Sequence, residues 1–323
     1  MHAESSPRQC WSISAEESSQ RIDNYLRSQL KGVPKSLIYR LLRTGAIRVN
    51  KKRVKPLYRL QAQDEVRIPP VRFSEPEPMA ALHKVKALNH CLLYEDEGLL
   101  VINKPSGMAV HGGSGVTIAV IEGLRALRTD LAYLELVHRL DRETSGLLVV
   151  AKKRSVLRAL HQQLRDHQIE KCYWALVHGQ WPMECKQIKA PLLKTVLPSG
   201  ERLIQIHPQG KPAETHFTVI ERFPQATLLQ VKPITGRTHQ IRVHTQSVGH
   251  PIVFDARYGH SHWDAPLIVQ DRPGRLFLHA ASLCLTHPQS GQRLLLEAPL
   301  EAALQSLLQR LRRATDKSIC VKA

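Results

Sequence analysis

The 323-residue chain contains no long apolar run, few acids and no closely spaced cysteine pair. The missing apolar run argues against a membrane-spanning helix. Its six cysteines are widely separated and form no Cys-x-x-Cys motif, which fits reduced thiols and argues against a zinc module. Residues 1–20 also lack the apolar core of a signal peptide, so we expect a cytoplasmic protein.

Acids are scarce in the whole chain and absent from one part of it. The 28 Asp and Glu residues face 46 Lys and Arg residues, a formal charge of +18 that indicates a polyanionic partner, with nucleic acid first. From Asn24 to Gln63 there are eleven basic residues and no acid. We interpret this stretch as a binding face; a solvated surface of another kind is the alternative.

The same stretch has the pattern of a small folded module. Helical spacing of apolar residues predicts two helices, the second ended by Gly45, and two short strands follow at 47–50 and 66–68. The segment resembles the small RNA-binding domain called the alpha-L motif, first seen in a ribosomal small-subunit protein. We therefore predict an RNA-binding domain at residues 21–70, after a flexible N-terminus at residues 1–20. Its predicted RNA contacts are Lys31, Lys35, Arg40, Arg43, Lys51, Lys52 and Arg53.

A proline-rich stretch, 69–78, predicts a linker at residues 71–88. Beyond it, short apolar runs alternate with helical stretches near 117–128, 155–168 and 301–313. The expected strands cover 91–94, 99–103, 146–151, 173–177, 216–220, 227–231 and 293–297. This pattern predicts an α+β domain on a mixed, largely antiparallel sheet at residues 89–313, followed by a flexible tail at 314–323.

One carboxylate stands out in this second domain. Asp141 lies between Arg139 and Arg142, just before a Thr-Ser-Gly turn and an apolar strand. Such an acid is a candidate for ionisation and for contact with a substrate. A loop acid that caps the turn and pairs with a neighbouring Arg is the other interpretation.

Several familiar chemistries lack their motifs. The Gly-rich segment 112–115 has no following Lys-Ser or Lys-Thr, so we interpret it as a surface turn and not as a phosphate-binding loop. His250, His260 and His262 are an alternative metal set, but no His-x-x-x-His helix or cysteine pair accompanies them. No dinucleotide fingerprint or Gly-x-Ser-x-Gly elbow occurs. We expect a catalyst without metal or cofactor.

Five sequence blocks, in order, carry a family resemblance. They are Asn103 to Gly107, His138 to Gly146, Lys171 to Tyr173, Gly236 to Arg242 and Leu276 to Ala280. Together they resemble the RluA-type family of pseudouridine synthases. The resemblance implies an isomerisation in which the N1–C1′ bond of uridine breaks and C5 bonds to C1′. One carboxylate suffices, acting at C1′ of the ribose or C6 of the base, or stabilising the charge on the sugar.

The resemblance also implies roles for individual residues. Asp141 matches the catalytic aspartate, and a nearby cation, assigned to Arg237, keeps its carboxylate charged. Tyr173 matches the tyrosine that stacks on the base, and Leu278 packs the other side of the pocket. Arg139 matches the residue that fills the space left by a flipped base. Three further residues are expected as scaffold or phosphate contacts: Lys104, His111 and Arg242.

The implied partner is large-subunit ribosomal RNA or an assembling large-subunit particle, with several separated target uridines. We expect a monomer that contacts no membrane. Two rival functions are a catalytically inactive RNA-binding or ribosome-assembly factor, and a phosphodiesterase or nuclease. The intact set of Asp141, Tyr173 and Arg237 argues against the first, and the lack of clustered carboxylates argues against the second.

Overall fold

The computed structural model describes residues 9–30, 33, 35–70, 85, 87–112, 119–196, 202–268 and 274–320. The chain divides into two compact units between Pro78 and Met79. Most of the predicted linker, residues 71–84 and 86, lies outside the described part.

The first unit consists of two helices and a small sheet. Its elements are β1 (Gln9–Ser12), α1 (Ile22–Gln29), α2 (Lys35–Thr44), β2 (Arg48–Val49) and β3 (Glu65–Ile68). The strands pair antiparallel in the order β1-β3-β2. Gly45 adopts φ +74° directly after α2, a conformation that favours glycine, and the predicted helix stop is confirmed.

The apolar faces predicted from the spacing form the core of this unit. Ile22 and Leu26 of α1 pack with Ile38 and Leu42 of α2 and with the buried side of β3. The expectation of a flexible segment over residues 1–20 is wrong for its second half. Residues Gln9–Ser12 pair with Glu65–Ile68, because β3 has an open edge whose N–H and C=O groups need partners.

The second unit is an α+β domain, as predicted. Its strands are β4 (Leu92–Glu95), β5 (Leu99–Lys104), β6 (Glu135–Leu136), β7 (Ser145–Ala151), β8 (Glu170–His178), β9 (Gln187–Lys189), β10 (Leu192–Val196), β11 (Arg202–Ile206), β12 (Glu214–Phe223), β13 (Ala226–Pro233), β14 (Leu278–Thr286) and β15 (Arg293–Glu297). Its helices are α3 (Val120–Leu127), α4 (Arg154–Arg165), α5 (Gln240–Ser247), α6 (Ser261–Asp264) and α7 (Ala302–Cys320), with 3₁₀ turns at Asn89–Cys91 and Ala265–Leu267.

One large sheet organises these elements. Its strand order is β4-β5-β7-β14-β8-β13-β12-β9, with β15 added on β14 and β6 on β7, while β10 and β11 form a separate ribbon. Among the described strands, the short β7–β14 pairing is parallel and every other pairing is antiparallel. The expectation of a mixed, largely antiparallel sheet is confirmed.

The parallel pairing joins two halves of the sheet at Gly146. This residue has φ +107°, and a Cβ on it would lie 2.3 Å from the carbonyl oxygen of Ala280. Only glycine allows the backbones of β7 and β14 to approach so closely. The loop before β7, which carries Asp141, therefore lies beside the start of β14 and next to β8.

Each half of the sheet has its own apolar core. One core forms around β5, β7, α3 and α4, and the other around β8, β13 and α7. Leu304, Leu307 and Leu308 of α7 are buried, as their spacing predicted. The expected flexible tail at 314–323 is wrong over most of its length, because α7 continues to Cys320. The Thr315 hydroxyl donates to the Leu311 carbonyl within this extension.

We predict that Gly146→Ala destabilises the second unit strongly. The new methyl group would overlap the Ala280 carbonyl, and the backbone would be strained at positive φ. Gly291→Ala is the matched control, because Gly291 also has positive φ (+72°) but has nothing within 4 Å of its Cβ position. Urea unfolding should show a loss at least about 2 kcal/mol larger for Gly146→Ala. Equal losses in the two variants would contradict the close approach.

Candidate active site

A single cavity in the second unit collects the residues that the resemblance singled out. It has a volume of about 370 Å³, within the usual range of small-molecule sites. Its lining includes Arg139, Asp141, Tyr173, Arg237 and Leu278. Among the described lining residues Asp141 is the one carboxylate, and basic side chains surround it. The cavity therefore combines one acid with a lining suited to a polyanion.

A buried lysine, Lys104, is hydrogen-bonded to the loop that carries Asp141. Lys104, at the end of β5, is 0% exposed. Its Nζ donates to the carbonyl oxygens of Pro105 (2.8 Å), Met108 (2.9 Å) and Arg142 (3.1 Å). Burial lowers the pKa of Lys104 to about 8. These contacts fit the expected scaffold role of Lys104. Its ammonium group connects the loop after β5 with Arg142, the residue that follows Asp141.

Two more hydrogen bonds hold the same loop. The Gly107 amide donates to the Arg142 carbonyl (2.9 Å), and the Ser106 hydroxyl donates to the Glu143 carbonyl (2.7 Å). Both acceptors follow Asp141 within two residues. The position of the Asp141 backbone is therefore set by the turn after β5, which belongs to the Asn103 to Gly107 block.

The cation beside Asp141 is Arg242, in the first turn of α5. Its Nη1 lies 3.8 Å from Asp141 Oδ2. The rest of the guanidinium is paired with Asp255, through Nε to Oδ2 and Nη2 to Oδ1, both at 2.7 Å. Arg242 and Asp255 are buried, with 7% and 1% of their side chains exposed. A bidentate partner fixes the plane of a guanidinium, so Arg242 presents its remaining edge to Asp141.

The assignment of this ion pair to Arg237 is corrected by the geometry. Arg237 lies in the loop before α5, where its Nε donates to the Pro212 carbonyl at 3.1 Å. Its side chain lines the cavity but is not within 4 Å of a carboxylate in the described residues. Arg242, five residues further along the chain, lies within the helix α5.

His239 completes the contacts of Asp141. Its Nε2 lies 3.9 Å from Asp141 Oδ2, and its Nδ1 is hydrogen-bonded to the Tyr258 hydroxyl at 2.7 Å. Burial lowers the pKa of His239, although the charge of Asp141 acts in the opposite direction. The ring thus stays uncharged at neutral pH and leaves Arg242 as the cation of this contact.

Tyr173, Leu278 and Arg139 form the other walls. Tyr173 lies in β8, paired with Ala280 of β14, and is half-buried. Burial, with the charge of Asp141, raises the pKa of the Tyr173 hydroxyl above its usual value, so the phenol keeps its proton. Leu278 is buried at the start of β14, and Arg139 is exposed at the rim.

The alternative metal set is not assembled. His250 is hydrogen-bonded through Nδ1 to the His178 carbonyl (2.7 Å), whereas His260 and His262 lie against Trp263. No group of three or more His, Cys, Asp or Glu among the described residues is arranged to hold a metal ion. Within the same part of the chain, no helix has the length and apolar character needed to cross a membrane. The Gly-rich turn lies outside the described residues beyond Gly112.

The predicted RNA contacts of the first unit lie partly outside the described part of the chain: Lys31 entirely, and Lys35 in its side chain. The others are exposed: Arg40 and Arg43 on α2, and Lys51, Lys52 and Arg53 on the turn after β2. Tyr39, Arg40, Arg43, Arg53 and Lys55 line a hollow between this helix and the segment after the turn. The exposed basic side chains thus gather on one helix and the following turn.

Comparison with known proteins identifies the family of the chain. The chain matches the family model for RNA pseudouridylate synthase over residues 98–247 and that for the S4 domain over residues 20–66. It is 59% identical to ribosomal large subunit pseudouridine synthase C of Escherichia coli strain K12, covering 94% of this chain and 96% of the relative. The protein of the same name from Salmonella typhimurium is 60% identical, over the same shares of the two chains. The chain belongs to the RNA pseudouridylate synthase family.

A solved structure supports the fold of this pseudouridine synthase. Human RNA pseudouridylate synthase domain containing 4 superposes with a TM-score of 0.59 at 27% identity. The match covers 72% of this chain and 97% of the human one. The family expected from the five sequence blocks is confirmed, and so is the small N-terminal domain of the alpha-L type.

Sequence reasoning missed part of the synthase site. His239 and Arg242 lie in the Gly236 to Arg242 block, but the helix α5 that orients them was not predicted. Its apolar residues are too few to give a periodic pattern. Asp255 and Tyr258 lie in a loop with no motif, and only their contacts with Arg242 and His239 reveal them.

We predict an acid-sensitive contribution to stability from His138. Its Nε2 accepts a hydrogen bond from the Val149 amide at 3.2 Å, so the ring is neutral. Burial, then the charge of Lys171, lowers the pKa of His138 from 6.5 to about 4. Between these values the unfolded chain takes up a proton that the folded protein excludes, so the stabilisation present above pH 6.5 is lost as pH falls toward 4.

His138→Gln removes this titration. The difference in the free energy of unfolding between the parent and His138→Gln should therefore be largest at pH 7 and should shrink steadily to pH 4.5. Urea unfolding across this range measures the difference. A difference that does not change with pH would show that the ring is not excluded from protonation.

Proposed function

We propose that this synthase converts specific uridines of large-subunit ribosomal RNA to pseudouridine, with Asp141 as its catalytic residue. The observation that carries the proposal is the position of Asp141. It is the one carboxylate among the described residues of a basic cavity, next to Arg242 and in the same lining as Tyr173. The relatives named for the large ribosomal subunit support the choice of substrate.

The reaction needs little beyond a charged carboxylate and a means of holding the base. The N1–C1′ bond breaks, C5 bonds to C1′ and the C5 proton is lost to solvent or to a basic group, while N1 gains a proton. Attack by Asp141 at C1′ or at C6, or stabilisation of a positive sugar, requires its carboxylate to be ionised. Arg242 places a positive charge 3.8 Å from Asp141 Oδ2, at the reacting carboxylate. The face of Tyr173 holds the uracil while it turns over, and Leu278 closes the opposite side.

The depth of the site requires a flipped nucleotide. Asp141 and Tyr173 lie inside the cavity, where a base stacked in an RNA helix could not reach them. Arg139, exposed at the rim with no ion-pair partner among the described residues, is placed to enter the RNA stack when the uridine leaves it.

The S4 domain provides affinity. Its exposed basic side chains on α2 and the turn after β2 contact phosphates of structured RNA. Recognition of RNA shape by this domain is consistent with several separated target sites. We propose that the synthase acts as a monomer. It works in the cytoplasm, on free large-subunit RNA or on the assembling particle.

Asp141→Asn should abolish pseudouridine formation while RNA affinity changes little, because Asn keeps the shape and loses the charge. Pseudouridine mapping of large-subunit RNA from cells with and without the gene identifies the sites, and single-turnover assays on those sites give the rates. Arg237→Gln is the matched control: its rate at saturating enzyme should stay within about tenfold of the parent. A residual rate within tenfold for Asp141→Asn would remove it from catalysis. An Arg237→Gln rate as low as that of Asp141→Asn would return the cation role to Arg237.

Replacing Arg40, Arg43, Lys51 and Lys52 together by Gln should weaken rRNA binding without changing the saturating single-turnover rate. Each lost phosphate contact should reduce the slope of log affinity against log salt by about 0.7 to 0.9. Filter binding over a range of salt measures the slope. A collapse of the saturating rate with affinity and slope unchanged would mean that the S4 domain contributes to the active site itself.

A further inference from the structure

The cavity contains one further cation, Lys171. Lys171 lies in β8, two residues before Tyr173, so both side chains leave the strand on the same side. Both line the cavity. Lys171 is half-buried there, between the Asp141 loop and the loop before α5.

Two observations locate the ammonium group of Lys171. Its charge is close enough to His138 to lower the pKa of that ring. On the other side, a Cβ built on Gly236 would lie 3.8 Å from the Lys171 Nζ. Gly236 has no side chain, so the ammonium faces open cavity at this point. The ammonium group of Lys171 therefore lies near both His138 and Gly236.

The charge of Lys171 is not neutralised by the described protein. No carboxylate in that part of the chain lies within 4 Å of its Nζ, and no hydrogen bond to a described residue satisfies it. Burial lowers the pKa of Lys171, with no acid acting against the effect. The other cations near the catalytic loop differ in this respect: Lys104 donates to three carbonyls and Arg242 is paired with Asp255. A desolvated ammonium without a partner is costly, which points to an anionic ligand.

We propose that Lys171 binds a phosphodiester group next to the flipped uridine, with Gly236 leaving the space that the phosphate occupies. The inference rests on the proposed function, because the anion arrives with the target nucleotide. A uracil carbonyl is the weaker candidate. It carries a partial charge only, whereas a phosphate oxygen offers a full charge and a short charge-assisted hydrogen bond. In this role Lys171 sets the depth at which the ribose meets Asp141.

The test combines a protein change with an RNA change. The protein carries Asp141→Asn, so that binding is measured without turnover, with or without Lys171→Gln. The RNA is a hairpin containing one mapped target uridine, with natural phosphates or with an uncharged methylphosphonate on its 5′ or 3′ side. Lys171→Gln should weaken binding of the natural hairpin about tenfold. In the protein with Lys171, the methylphosphonate on one of the two sides should weaken binding of the hairpin. In the Lys171→Gln protein, the same methylphosphonate should no longer weaken binding.

Lys186→Gln is the matched control, since Lys186 is exposed and lies outside the cavity. It should leave the methylphosphonate effect unchanged. Thermal unfolding separates binding from structure. Loss of an unpartnered half-buried charge should leave the melting temperature of Lys171→Gln equal to that of the parent or higher.

Additive effects of Lys171→Gln and of both methylphosphonates would overturn the inference and favour contact with the base. A lowered melting temperature with unchanged RNA affinity would also overturn it, in favour of a structural role. If mapping finds no target in large-subunit RNA, the proposed substrate fails separately. The same comparison then uses a uridine hairpin that the protein binds, with methylphosphonates on both sides of each loop uridine in turn.

Discussion

The close approach of β7 and β14 at Gly146 is the constraint on which the catalytic geometry depends. The Ala280 carbonyl occupies the space where any other residue would carry its Cβ. This contact joins two half-sheets with separate apolar cores, and it does so five residues after Asp141. One strand of the junction, β14, supplies Leu278, and its neighbour β8 supplies Tyr173. The junction between the half-sheets is therefore also the place where acid, aromatic ring and apolar wall meet.

The basic residues around this junction differ in how their charge is satisfied. Lys104 is held by backbone carbonyls and supports the loop. Arg242 shares its guanidinium between Asp255, which fixes its orientation, and Asp141, whose charge it stabilises. Lys171 and Arg139 have no protein acid within 4 Å among the described residues. The cations therefore fall into two groups. Lys104 and Arg242 are held by protein groups, whereas Lys171 and Arg139 are the ones that we propose to contact RNA.

The two units divide the work according to their composition. The S4 domain has a stretch without acids whose basic side chains are exposed on α2 and the turn after β2, a surface suited to a polyanion. The second unit keeps its acids, many of them in structural pairs such as Glu95 with Arg128 and Lys152. Only Asp141, among the described residues that line the cavity, places a carboxylate there. The described lining therefore keeps an excess of positive charge around its single carboxylate.

The sequence by itself determined the family, the two-domain order and the strands with strong apolar runs, and it singled out Asp141 as the catalytic acid that we propose. These features depend on local patterns and on motifs whose residues are adjacent in the chain. Tertiary structure alone decided which arginine lies beside Asp141, because Arg237 and Arg242 have the same chemistry. Arg242 lies in the first turn of α5, 3.8 Å from Asp141 Oδ2, whereas Arg237 lies in the loop before this helix. It also revealed Asp255, a residue far from every motif, and the pairing of Gln9–Ser12 with β3. Charge balance and strand pairing over long sequence separations depend on distances that no local pattern contains.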